Sequence, residues 1–387
     1  MARFLFVVPP MAGHLFPSSS IAHALEGLGH EVAWVVQARA AWGILPASAK
    51  LFTLDDAAVD GCFAMLAKRE QETGVAADNE SYWEHFFLPL ARVMVPAIEA
   101  AVAAFAPDVL LVDQQTLGGA VVARRHGLRW ATLVTTPQEL LRASMNMPES
   151  DETRSGYFAL LEREMGLPHT TDLDVSPHLC IVLSTRELAR QWFAPQMRLV
   201  GPAIAARVES TPFPFEALRE GPRVFISLGT MNGDVSGPFH DLVLEAFAGD
   251  EIQVVLAGAE RPASQVPPNV IVRPFVPQLG VLARMDAAVC HAGHNTVCES
   301  LWFGLPLVVV PVKADQPFIA QQVVDAGVGV RLDFLRLKAG ELREAVHRVL
   351  AEPSYRAAAA RVQRSFQEAG GSQHAAEHLA ELAQAGG

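Results

Sequence analysis

The chain has few cysteines, few tyrosines and too little positive charge for its length, and these scarcities close off whole classes of protein. Its four cysteines in 387 residues, Cys62, Cys180, Cys290 and Cys298, form no Cys-x-x-Cys pair, so a disulfide framework is not what holds the fold. Lys and Arg number 30 against 42 Asp and Glu, a formal net charge of -12, which argues against nucleic acid as a partner because that binding needs clustered cations. No stretch reads as the roughly 20 apolar residues that span a bilayer, so no integral membrane segment is expected. The short run Arg3-Phe4-Leu5-Phe6-Val7-Val8, ended by Pro9-Pro10, reads as a buried strand and not as a signal core. A cytoplasmic, reducing location is the expectation, with the chain a monomer or homodimer.

What is present is hydrophobic mass in a regular order. Half the residues are hydrophobic, and 387 residues exceed the size at which one core usually stops growing, so two domains are expected. Short β-branched runs alternate with Ala- and Leu-rich segments, the pattern of parallel strands joined by crossover helices. Strands are predicted at 3 to 8, 31 to 36, 109 to 112, 131 to 134 and 179 to 183, and again at 223 to 228, 252 to 257, 270 to 272, 286 to 290, 307 to 310 and 328 to 331. Between the two series lie Gly201-Pro202, Thr211-Pro212-Phe213-Pro214 and Gly221-Pro222, which can continue neither a helix nor a central strand. The expected organisation is therefore α/β: a domain over 1–205, a linker over 206–222, and a second domain over 223–387 ending in helices. The pattern suggests two facing Rossmann-like domains, with a C-terminal helical segment crossing between them.

The richest motif lies in the second half. Ala287-Ala288-Val289-Cys290 reads as a buried strand, His291-Ala292-Gly293-His294 as a tight turn, and Asn295 onward as a helix. Strand, turn and helix in that order leave free backbone N–H groups and the positive end of a helix dipole near Gly293, Asn295 and Thr296, which suits a diphosphate. Gly293 permits close approach, Asn295 and Thr296 add donors, and Glu299 one turn further can accept from ribose hydroxyls. A zinc reading on Cys290, His291, His294 and Cys298 is weaker, because strand alternation should point Cys290 away from His291, and no metal is assigned.

The joint spacing of His291-Ala-Gly-His-Asn-Thr-Val-Cys-Glu299, Gly304-Leu-Pro306, Pro311 and Asp315-Gln316 resembles the donor-binding signature of family 1 glycosyltransferases. The resemblance implies the GT-B fold and a nucleotide-diphosphate sugar, UDP-glucose or a dTDP-sugar, as co-substrate with no other cofactor. It places diphosphate contacts on His291, Asn295 and Thr296, ribose on Glu299, and sugar hydroxyls on Asp315 and Gln316. Phe275-Val276-Pro277-Gln278 is similar to the family's base-binding loop, with Phe275 stacking on the base. Ser227-Leu228-Gly229-Thr230 is similar to its first donor loop, with Thr230 reaching a phosphate. The charge on His291 and the helix N-terminus are expected to take the place of a metal at the leaving diphosphate.

Transfer of a sugar to a hydroxyl needs a base, and imidazole suits that task. His14 follows the first strand and Asp113 ends the strand beginning at Val109, both at carboxyl edges where open α/β sheets bind ligands. They resemble the family's catalytic His and the Asp that orients it, which implies an inverting single displacement. For the hydrophobic small-molecule acceptor, the candidates are Phe63, Tyr82, Trp83, Phe86, Phe87, Met145 and Met147, although the helical spacing of Tyr82, Phe86 and Leu90 equally suits a core face. The rival readings are a GT-B sugar-nucleotide epimerase or hydrolase, and a non-catalytic sugar-nucleotide-binding accessory protein.

Overall fold

The chain divides into two compact units in the computed structural model, which describes residues 1–73, 79–136, 148–189, 194–204, 211–229 and 233–385. The first unit holds Met1–Ser184, Gln191–Arg207 and Ala369–Gly387, and the second holds Thr185–Arg190 and Val208–Glu368. Each is built on one parallel sheet.

The first sheet contains β1 (Arg3–Val7), β2 (Glu31–Val36), β3 (Lys50–Thr53), β4 (Val109–Asp113), β5 (Trp130–Val134), β6 (Leu179–Val182) and β7 (Met197–Leu199), in the order β3-β2-β1-β4-β5-β6-β7. The unbroken apolar runs follow from burial on both faces. Phe4 and Phe6 enter one core with Leu111 and Leu133, while Leu5 and Val7 enter another with Leu110 and Val112. The second sheet contains β8 (Arg223–Ser227), β9 (Gln253–Ala257), β10 (Val270–Arg273), β11 (Ala287–Cys290), β12 (Leu307–Val309) and β13 (Gly329–Arg331), in the order β10-β9-β8-β11-β12-β13. It is sandwiched likewise, with Val224 and Ile226 on one face and Phe225 on the other. The edge strands β3 and β7 escaped the sequence reading, being short, only partly buried and without an apolar run.

Both sheets reverse their strand order at a defined point. In the first it lies between β1 and β4, where Val7 stands opposite Val112. In the second it lies between β8 and β11, where Ser227 stands opposite Cys290. A reversal sends the crossover helices to opposite faces and leaves a crevice at the carboxyl ends of the two strands.

Two expectations need correction. Trp83–Phe105 is one continuous helical run of 23 residues with mean hydropathy 1.7, so a segment of bilayer-spanning length and apolarity does exist. Its first turn, Trp83–Phe87, is a π-helix. The run is a core helix of the first unit: Leu90, Ala91, Met94, Val95, Ile98, Ala101 and Phe105 are buried against β1 and β4 residues. The second correction concerns the chain's end. The helix Pro353–Glu368 packs in the second unit through Val362 and Phe366, but the helix Gly371–Gln384 packs in the first through Ala375, Ala376 and Leu379, not in a domain running to residue 387. Gly370 and Gly371, at φ 81° and 57°, make the turn between them, and the Gly371 N–H donates to the Val200 carbonyl at 2.6 Å. The proline-rich stretch is also no bare spacer, since Phe213, Phe215 and Leu218 pack against the second unit's core.

Candidate active site

The reversal point of the first sheet holds a buried polar cluster. The helix Ala12–Gly27 follows β1 after a short turn, and His14 lies in its first turn. The Ser18 hydroxyl donates to the His14 carbonyl at 2.7 Å and steadies that turn. His14 Nδ1 lies 2.8 Å from Asp113 Oδ2, and Asp113 is wholly buried at the end of β4. The other carboxylate oxygen accepts the Gln115 N–H at 3.0 Å. The Thr116 hydroxyl sits 3.0 Å from the Val7 carbonyl and 2.8 Å from that of Asp113, which ties the ends of β1 and β4 together. Thus Asp113 is fixed by its own turn before it meets the imidazole. Thr135, just beyond β5, completes the cluster: its hydroxyl donates to Asp113 Oδ2 at 3.0 Å and lies 2.8 Å from His14 Nδ1. Sequence reasoning missed Thr135, although it lies at the same carboxyl edge that singled out the other two.

The second sheet's reversal point is built around a neutral imidazole. His291 follows β11, is almost fully buried, and leaves Nδ1 without a hydrogen-bond partner among the described residues. Burial pushes its pKa down to about 4, against a smaller opposing effect from the Ser227 backbone. The expected positive charge on His291 is therefore absent at neutral pH, and the positive potential here comes from N–H groups at the start of the helix His294–Trp302. Gly293 has an ordinary φ of -63°, so its value lies in what it lacks: a Cβ there would collide with the His291 ring. A Cβ on Gly229 would come within 2.6 Å of the same ring. The two glycines form a slot for the imidazole.

Around this slot the donor-motif residues are arranged by contacts of their own. Gln278 Nε2 donates to Glu299 Oε2 at 2.6 Å, which joins the Phe275–Gln278 loop to the His294–Trp302 helix. Gln316 is buried, and its Oε1 accepts the N–H groups of Val312 at 2.8 Å and Lys313 at 3.1 Å. Ala292 (φ 64°) and Ala314 (φ 55°) adopt left-handed backbone, a strained state for alanine, and both fall within the donor motif. Phe275 is 69% exposed. Asn295 and Thr296 lie in the first turn of the His294–Trp302 helix, and Asp315 is the residue preceding the helix Gln316–Asp325. Thr230, Met145 and Met147 lie outside the described residues.

The aromatic acceptor candidates are, for the most part, core. Trp83, Phe86 and Phe87 are buried, and Phe63 and Tyr82 pack against the same cluster, with the Phe63 and Phe86 rings 4.8 Å apart. Among the described residues no group of three or more His, Cys, Asp or Glu side chains is placed to hold a metal. An Asp-x-Asp triplet does occur, Asp172-Leu173-Asp174, but Asp174 is buried against Arg154 at 2.9 Å and belongs to the fold. Cys298 Sγ lies 3.4 Å from His294 Nε2, and burial pushes the thiols of Cys290 and Cys298 up, the former to about 12.

Two parallel-sheet α/β units of this topology define the GT-B class. A solved structure, the glycosyltransferase of kitacinnamycin, matches with a TM-score of 0.81 at 25% identity, over 98% of this chain and 99% of its own. The glycosyltransferase VinC in complex with dTDP shares the fold at a TM-score of 0.75 and 19% identity, over 99% and 100%. The family model for the C-terminal domain of erythromycin biosynthesis protein CIII-like proteins matches residues 242–382. The uncharacterized UDP-glucosyltransferase YojK of Bacillus subtilis (strain 168) is 28% identical over 98% of this chain and 97% of its own. The 4'-demethylrebeccamycin synthase of Lentzea aerocolonigenes is 26% identical over 94% and 96%, and YdhE of the same Bacillus is 34% identical over 49% of each chain. These likenesses support a glycosyltransferase of the family 1 type, similar to natural-product enzymes.

Proposed function

We propose that the protein is an inverting glycosyltransferase that moves a hexose or deoxyhexose from a nucleotide-diphosphate sugar to a hydroxyl of a hydrophobic small-molecule natural product. The observation that carries this reading is the buried His14–Asp113 pair at the reversal point of the first sheet. With Nδ1–H donated to Asp113, His14 Nε2 is the bare nitrogen. It takes the proton of the acceptor hydroxyl as that oxygen bonds to the anomeric carbon. The carbon–oxygen bond to the diphosphate breaks on the opposite side, and the diphosphate leaves with the electron pair. Asp113 stabilises the imidazolium that forms, as in other His–carboxylate pairs.

On the donor side, N–H groups at the start of the His294–Trp302 helix and the neutral ring of His291 receive the diphosphate. Glu299, set by Gln278, accepts from the ribose, Phe275 stacks on the base, and Asp315 with Gln316 holds the sugar. Thr230 is placed at a phosphate by motif alone. Both UDP- and dTDP-sugars remain donor candidates: relatives are named UDP-glucosyltransferases, and VinC is seen with dTDP. The free, buried cysteines suit a reducing cytoplasm.

The test combines binding and turnover. A thermal-shift panel of UDP- and dTDP-sugars should raise Tm for the true donor, by about 2.7 kcal/mol of stabilisation at a hundredfold excess over Kd. His14→Ala should keep that shift and lose transfer by at least about a hundredfold. Undiminished transfer removes His14 from the chemistry, and rapid loss of donor without any acceptor favours the hydrolase or epimerase reading.

A further inference from the structure

The helix Gly233–Phe247, which follows β8, carries a buried polar ring that the donor motif does not use. His240 is 3% exposed and sits edge-on to Phe239 at 6.3 Å, yet it makes no hydrogen bond among the described residues. Its charged neighbours are engaged with each other: Arg261 Nη2 donates to Asp241 Oδ1 at 2.9 Å and lies 3.5 Å from the Gly237 carbonyl. Burial, with the Arg261 charge added, outweighs Asp241 and holds the imidazole below its ordinary 6.5, so the ring is neutral at pH 7. An unpaired polar group in such a place lowers stability, and the cost is recovered when a ligand supplies the partner.

The free edge of the ring faces a gap in the backbone. A Cβ built on Gly258, the first residue beyond β9, would have His240 Nε2 3.9 Å away and no other atom within 4 Å. Gly258 is itself exposed and has a φ of 96°, so the glycine and the imidazole leave an open recess between them. The Gly258 N–H donates to the carbonyl of Arg273 at 3.0 Å, at the end of β10 and two residues before Phe275. Because β9 runs between β8 and β10, the recess lies between the turn at Gly229 and the exposed Phe275 ring, on the carboxyl edge of the sheet. A phosphate there would call for a cation. A neutral imidazole instead offers one hydrogen bond, as donor or acceptor, to the polar edge of an uncharged heterocycle.

We propose that His240 is a specificity-determining residue for the donor: across the gap left by Gly258, its Nε2 hydrogen-bonds the polar edge of the nucleobase. This role rests on the reading of the second unit as the binding site of a nucleotide-diphosphate sugar.

Calorimetric titrations with UDP, dTDP and inorganic pyrophosphate compare wild type with two variants. His240→Phe keeps a flat ring and loses both nitrogens, and His240→Gln keeps a hydrogen-bonding group. His240→Phe should weaken UDP and dTDP about tenfold and leave pyrophosphate within about twofold, and His240→Gln should recover most of the loss. A measurement on wild type alone decides the matter if the variants fold poorly: the imidazole nitrogen resonances of His240 should move with UDP and stay still with pyrophosphate. Equal losses for UDP and pyrophosphate, unchanged UDP affinity in His240→Phe, or nitrogen resonances indifferent to UDP overturn the proposal while the donor reading stands. A wild type that binds neither UDP nor dTDP overturns both.

Discussion

At the residue scale, two histidines, one at the reversal point of each sheet, face opposite demands and are built accordingly. His14 is surrounded by acceptors that make one of its nitrogens a donor, whereas His291 is wedged between glycines and apolar neighbours that keep it neutral. Because the folded His291 titrates near 4 and its ordinary value is 6.5, the unfolded chain binds this proton first as pH falls. Stability from this group is intact above pH 6.5 and is lost between pH 6.5 and 4, by up to about 1.4 kcal/mol per pH unit. Urea unfolding over that window should show a shallower pH slope for His291→Gln than for wild type. Equal slopes contradict the buried, neutral imidazole. The sequence motif identified the position of His291 but not its charge, because charge depends on what packs around the ring, and Gly229, a principal neighbour, is 62 residues away in the chain.

At the element scale, the inner strands were legible because parallel strands buried on both faces have no polar positions to interrupt them. The edge strands β3 and β7 lack that signature, and the π-helical turn at Trp83–Phe87 has none that a helical period reveals. The same helical run explains why aromatic residues were misleading as acceptor candidates. Its rings satisfy one another, with Trp83 stacked on Tyr157 at 5.8 Å and set edge-on to Phe158 at 5.6 Å. Phe86→Ala should therefore lower unfolding stability by about 3 to 5 kcal/mol in denaturant titrations. A near-neutral effect on stability with a large rise in acceptor KM points instead to a lining role. For the polar cluster, His14 and Asp113 could be placed from strand ends alone. Thr135 could not, since its importance comes from a register in which β5 runs beside β4.

At the scale of the whole molecule, the chain's order does not match its assembly. The helix Gly371–Gln384 completes a core founded by β1 and β4, and Arg129 Nη1 donates to the carbonyls of Leu382 at 3.3 Å and Ala383 at 3.0 Å near its end. Leu379→Ala should cost about 2 to 5 kcal/mol in the first unit, seen as earlier exchange of β1 and β4 amides while those of β8 and β11 keep their protection. Uniform loss of protection in both sheets contradicts the assignment of this helix to the first unit. The arrangement also sets a timetable. During synthesis the second unit, whose residues run no further than Glu368, has emerged in full before the first has its last helix. The helix that completes the first core is thus made after every strand of the second, and a chain cut after Glu368 carries a complete second sheet joined to an unfinished first core.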